Sequence, residues 1–153
     1  MPGVTSRGPA QVPSEPEDVA DPRRPRRVVS YALARNGALA AVRRGMGSEH
    51  LEADPYLLRA AKFHGEPAAR DCPICRRVEL TNVTYVFGDE LGPYSGRVRA
   101  TADLAELATE FGAFRVYVVE VCQTCGWNHL TLSYVLGDGV PRRPLGRPRD
   151  LLD

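Results

Sequence analysis

Four cysteines carry the clearest chemistry in this sequence. Cys72 and Cys75 form one C-x-x-C pair, Cys122 and Cys125 form another, and the chain has no other cysteine. This spacing lets two thiolates on one tight turn face a common ion. Two such turns complete a four-sulfur tetrahedron, the closed geometry of structural zinc, and Zn2+ is the expected cofactor. Residues 76–121 separate the pairs, a longer insert than the roughly 15–20 residues of simple fingers. It leaves room for a strand and a helix. Four protein ligands saturate the ion, so no position stays open for water and metal catalysis is not expected. The competing readings are buried thiols without metal, a redox dithiol and an iron–sulfur centre. A redox role leaves the second pair unexplained, and the flanking strands and aromatics do not demand a cluster.

The neighbours of the cysteines refine this reading. Gly126 follows Cys125, where a residue free to take positive φ lets backbone amides face the sulfurs. Arg76 holds the equivalent place after Cys75. It permits a looser turn and puts a guanidinium near the thiolates, which favours their ionised form. His64 and His129 read as surface or supporting groups rather than ligands. Trp127 reads as a lid packed on the metal turn. Glu120 and His129 flank the second pair and read as structural. The sequence contains no glycine-rich phosphate loop, no H-E-x-x-H and no G-x-S-x-G, so the expectation is a protein that is not an enzyme.

The elements that must position these residues are legible in outline. A helix is predicted over 28–45, with Val28, Tyr31 or Ala32, Leu39 and Val42 near one face and Gly45 and Gly47 ending it. A second runs from Asp54 to Gly65, with Asp54 as N-cap, Pro55 at the first position and Gly65 just past the end. It leads by a short loop into the first cysteine turn. Strands are predicted over 78–87 and 114–121, with a short one at 97–99. Thr101 is the expected cap of a third helix reaching Phe111. Alternation from Leu130 to Leu136 predicts a half-buried strand, which places the second cysteine turn at the tip of a β-hairpin. Residues 28–137 form the expected folded domain. The Pro- and Arg-rich stretches 1–27 and 138–153 read as disordered tails. The first ends in the basic cluster Arg23-Arg24-Pro25-Arg26-Arg27; Leu151-Leu152 in the second is a candidate docking tip.

Charge limits the function classes. The whole chain carries +1, and residues 28–137 alone carry −1. A domain that grips nucleic acid by its phosphates would show a basic excess; only a local patch is left open. Arg59, Lys62, Arg76 and Arg77 are the candidate contact residues, with Arg59 and Lys62 three apart on one helix. No apolar run reaches membrane-spanning length, and the first 27 residues lack an apolar signal core. The expected location is cytoplasmic, where paired cysteines are metal ligands more often than disulfides.

Three stretches carry a resemblance. They are Asp54-Pro55-Tyr56-Leu57-Leu58-Arg59-Ala60-Ala61-Lys62-Phe63-His64-Gly65, the turn Cys72-Pro73-Ile74-Cys75-Arg76, and Val119 to Leu130 with its Cys122-Gln123-Thr124-Cys125-Gly126-Trp127-Asn128-His129 core. Together they resemble a small uncharacterised family of actinobacterial proteins, a domain of unknown function. This resemblance covers roughly 28–137 and implies no assigned activity. At the metal turns alone, Cys72, Cys75, Cys122 and Cys125 are similar to the zinc-ribbon group of transcription and translation factors, although a helix between the pairs departs from a minimal ribbon. The combined expectation is an α+β domain with a small antiparallel zinc-ribbon-like sheet, three helices and disordered termini. Its expected role is as a non-enzymatic adaptor or regulator on a large assembly such as RNA polymerase or the ribosome. Direct DNA or RNA binding and thiol redox chemistry are the alternatives.

Overall fold

A computed structural model describes residues 21–142. The tail segments 1–20 and 143–153, and with them Leu151-Leu152, lie outside the described residues. The chain runs β1 (Arg26–Ser30), α1 (Ala32–Arg43), α2 (Pro55–His64), β2 (Glu66–Asp71), β3 (Glu79–Phe87), β4 (Arg97–Val98), α3 (Leu104–Glu110), β5 (Phe114–Val121) and β6 (Asn128–Leu136). Short 3-10 segments at Ser48–Leu51, Asp89–Tyr94 and Thr101–Asp103 add to the three α-helices, so the described residues hold more helical segments than the three expected.

The six strands make one antiparallel sheet in the order β1-β6-β5-β3-β2, with β4 also on β3. β2 and β4 share one edge of β3, β2 pairing with residues 79–82 and β4 with Tyr85 and Val86. Strand alternation sorts the side chains by face. Leu80, Thr84 and Val86 of β3 point one way, with Val116, Glu120 and Cys122 of the β5 segment. Val83, Tyr85 and Phe87 point the other way, with Tyr117, Val119 and Val121. On the first face, α3 packs Leu104, Leu107 and Ala108 against Val86, Val116 and Leu136, while α1 packs Ala38 and Leu39 against Leu80, Cys122 and Trp127. On the second face, α2 packs Leu57, Leu58 and Ala61 against Val83 and Val121. Part of this second face stays uncovered.

Local chemistry explains most boundaries. Asp54 caps α2 by accepting the Tyr56 amide hydrogen bond at 2.7 Å, and Pro55 occupies the first turn. Gly65 ends the helix in an extended conformation, not a left-handed one, at φ −78°. Glycine is needed there because a Cβ would collide with Thr81 and the Ala61 carbonyl.

Three expectations are corrected. Residues 26–30 form an edge strand, so the first helix starts at Ala32. Val29 is β-branched, and it and its neighbours Arg26 and Ser30 find partners in β6, more than 100 residues away in sequence, that no local pattern announces. A strand, β2, replaces the short loop before Cys72; Pro67 and a bulge before Asp71 hide its alternation. Thr101 does not cap its helix. Its amide and hydroxyl both donate to the Glu66 carboxylate, at 3.0 and 2.7 Å, which ties α3 to β2. The inner parts of the expected tails also make contacts: Pro22 accepts from the Gly137 amide, Gly139 donates to the Gly112 carbonyl, and Arg142 donates to the Phe111 carbonyl.

Candidate metal centre

Both cysteine turns sit at hairpin tips. One joins β2 to β3 and the other joins β5 to β6. Because β3 and β5 are antiparallel neighbours, with Thr81 opposite Val121, the two tips lie at the same end of the sheet. The turns share one four-residue closure and differ around it, the first being one residue longer. Cys72 and Cys122 donate their amides to the Val78 and Trp127 carbonyls, at 2.9 and 2.8 Å. Their own carbonyls accept from Arg76 and Gly126, at 3.1 and 3.0 Å. The Ile74 amide donates to Cys72 Sγ at 3.3 Å, and the Cys125 amide to Cys122 Sγ at 3.4 Å. Arg76 takes the left-handed region at φ +55°, as Gly126 does at φ +87°, and makes the same closing bond; the wider turn that Arg76 permits shows only in the one extra residue before Val78.

The four sulfurs converge, all within 4.8 Å of one another. The shortest approaches cross between the hairpins, Cys72 to Cys125 at 3.6 Å and Cys75 to Cys122 at 3.7 Å. A tetrahedron of sulfurs around an ion at about 2.3 Å has edges of about 3.8 Å, so these separations fit a mononuclear four-thiolate site. They are far longer than a disulfide bond of about 2.05 Å, and all four cysteines are free. Cys72 and Cys122 are fully buried, and Cys75 and Cys125 are half-buried. Without an ion the thiols differ. The Arg77 backbone N–H beside Cys75 draws its thiol down to about 7. Burial pushes Cys122 up and Cys125 up to about 12. An ion entering the site must displace the protons these two hold.

Trp127 is wholly buried in the cluster that holds Cys72 and Cys122, packed on the metal turn. Its ring stacks on His129 at 5.9 Å, and its Nε1 donates to Glu120 Oε2 at 2.8 Å. Glu120 is fully buried and also accepts from Arg35 Nε at 2.6 Å and Arg70 Nη2 at 2.5 Å. One carboxylate thus joins α1, β2 and the second cysteine turn. Sequence reasoning marks Glu120 as structural but misses Arg35 and Arg70, since only the sheet brings them together. His129 hydrogen-bonds the Leu130 carbonyl through Nδ1 at 2.7 Å, and His64 is exposed on α2. Neither belongs to the sulfur cluster.

The candidate contact residues divide. Arg59 and Lys62 line a niche of about 290 Å³ with Leu58, Phe63 and Gln123, beside the second cysteine turn. Arg76 and Arg77 are exposed on the first turn and do not line that niche. On the other side of α2, a wider apolar hollow of about 720 Å³ opens on the uncovered sheet face, lined by Leu57, Tyr85, Phe87, Tyr117, Val119 and Leu130 among others. Among the described residues, no helix is long and apolar enough to cross a membrane.

Comparison with known proteins places this arrangement among others of unassigned role. A family described as "Family of unknown function (DUF5318)" matches residues 22–149. The chain is similar to an uncharacterised protein of Mycobacterium bovis and to uncharacterised proteins of two Mycobacterium tuberculosis strains. Each is 54% identical over 118 residues, covering 76% of this chain and 86% of the relative. No solved structure matches the chain.

Proposed function

This chain belongs to the DUF5318 family, and from that premise we propose that it is a non-enzymatic, zinc-ribbon-like module. In this reading Zn2+ held by Cys72, Cys75, Cys122 and Cys125 fixes two hairpins, and the resulting body acts as an adaptor or regulator on a large cytoplasmic assembly such as RNA polymerase or the ribosome. The observation that carries the reading is the convergence of four thiols from two hairpin tips, with cross-hairpin approaches of 3.6 and 3.7 Å. Four sulfur donors favour zinc over the hard, oxygen-seeking cations. Two of the donors are buried under Trp127, and such a filled shell holds an ion for structure and not for turnover.

Glu120 supports the same reading. A buried carboxylate could act as a base, but both of its oxygens are engaged by Arg35, Arg70 and Trp127. It is committed to architecture.

Metal analysis of the purified chain is expected to give one zinc per polypeptide. Cys72→Ser or Cys122→Ser is expected to lose most of it and to lower the melting temperature. Absence of metal, with all four thiols reacting freely in the native protein, would overturn the metal reading. Co-sedimentation with purified ribosomes or polymerase tests the adaptor role, and no association with either counts against it.

A further inference from the structure

We propose that the outward face of α2 is a contact surface for single-stranded nucleic acid, with bases stacking on Tyr56 and Phe63 and phosphates held by Arg59 and Lys62. The proposal rests on the docking role above and names the chemistry of the partner.

Residues 56, 59 and 63 follow the i, i+3, i+7 spacing that keeps side chains on one helix face. The inner side of α2 is spent on Val83 and Val121. Tyr56 is 77% exposed and Phe63 66% exposed. Two large rings left this open on one short helix are not explained by the fold. Each has a cation within reach: the Arg59 guanidinium is 5.9 Å from the Tyr56 centroid, and Lys62 Nζ is 5.4 Å from that of Phe63. Among the described residues neither cation has a carboxylate partner. Their charge is therefore available to an anion, although the domain as a whole is near neutral.

The rings choose between anions. They stand about 10 Å apart along the helix axis on an outward ridge, where an acidic peptide's apolar side chains would find little to bury against. A base needs only an open ring face, and stacking beside a cation that meets phosphate is the recurring solution for single strands. The niche of about 290 Å³ lies beside this ridge. Gln123 forms its far wall, held by donation from Nε2 to Thr81 Oγ1 at 3.0 Å. Since Gln123 sits between Cys122 and Cys125, filling the metal site fixes that wall.

The test is fluorescence anisotropy of the zinc-loaded full chain with a labelled oligouridylate about 12 nucleotides long, within the usual site size of such surfaces. Binding is expected, with a log–log salt slope of about −1.4 for two phosphates, or about sevenfold weaker affinity on going from 50 to 200 mM salt. Tyr56→Ala and Phe63→Ala should each weaken binding about fivefold or more. The Arg59→Ala, Lys62→Ala double variant should flatten the slope toward zero. All four positions are exposed, so the variants should keep the wild-type zinc content and melting temperature, which is checked on each. No anisotropy change at about 0.1 mM protein, the weak end of non-specific binding, overturns the proposal. So does binding that the α2 variants leave unchanged, or equal competition by poly-glutamate, which would assign the face to acidic peptides. If oligonucleotides fail while the zinc-loaded chain still co-sediments with ribosomes or polymerase, this inference falls and the docking role stands.

Discussion

Cys125 is followed by glycine and Cys75 by arginine, yet both successors take the left-handed conformation, at φ +87° and +55°. The cost differs. A non-glycine residue there is disfavoured by about 1–2 kcal/mol, so Arg76 holds strain that Gly126 avoids. Gly126 has a second constraint, because a Cβ would strike the Leu51 carbonyl where the Ser48–Leu51 segment crosses the turn. Gly126→Ala is therefore expected to destabilise by about 2 kcal/mol or more, combining backbone strain and collision. Arg76→Gly should be neutral or stabilising by up to about 1 kcal/mol, since relief of strain is set against a looser unfolded chain. Urea unfolding of both variants with zinc present checks the contrast. Equal effects would mean that the two turns are not conformational equivalents.

At the scale of elements, Glu120 is the joint between the cysteine end of the sheet and α1. Removing one partner of a buried ionic cluster leaves the other charges without compensation, which costs about 3–5 kcal/mol. Glu120→Ala should approach that loss in chemical denaturation, and Glu120→Gln should lose less because it keeps an acceptor for Trp127. The turn after β6 offers a smaller, pH-dependent case. The Arg142 guanidinium, 2.6 Å from Asp138, holds that carboxyl below its ordinary value, helped by the Val140 amide. A depressed folded-state pKa stabilises above the unfolded value of about 3.9, and the contribution disappears as pH falls through the folded value. Asp138→Asn should cost about 1 kcal/mol at neutral pH, the upper end for surface pairs, since both side chains are part-buried, and the difference should close in acid. The same scale shows what local sequence can carry. The long interior strands, the capped helix α2 and both cysteine turns follow from periodicity and residue type. β1 and β2 do not, because one exists through pairing with β6 and the other is broken by Pro67 and by Ala69 at φ +62°. The sulfur set was legible from spacing; Arg35 and Arg70 were not, because no spacing rule links a helix, an irregular strand and position 120.

For the whole molecule, an ion bound at the four sulfurs would share the work of cohesion unequally with the sheet. β3 and β5 pair along seven residues without help from the metal, whereas the two cysteine turns are joined to each other through their sulfurs. Chelation is therefore expected to loosen one end and leave the rest standing. Hydrogen exchange should show amides of residues 72–78 and 122–127 losing protection while those of β3 and β5 near Val86 and Val116 keep theirs. Uniform loss of protection would make the ion a condition of folding throughout.

The sheet is not closed, and its β6 side ends in β1, whose outer amides and carbonyls have no strand beside them among the described residues. Val28 and Val29 sit there 56% and 42% exposed. Such a border is a template on which a second copy could lay its own. Arg27 stands exposed in the same strand. Two copies approaching edge to edge would bring two such charges together, which works against fibril-like stacking, most strongly in dilute electrolyte.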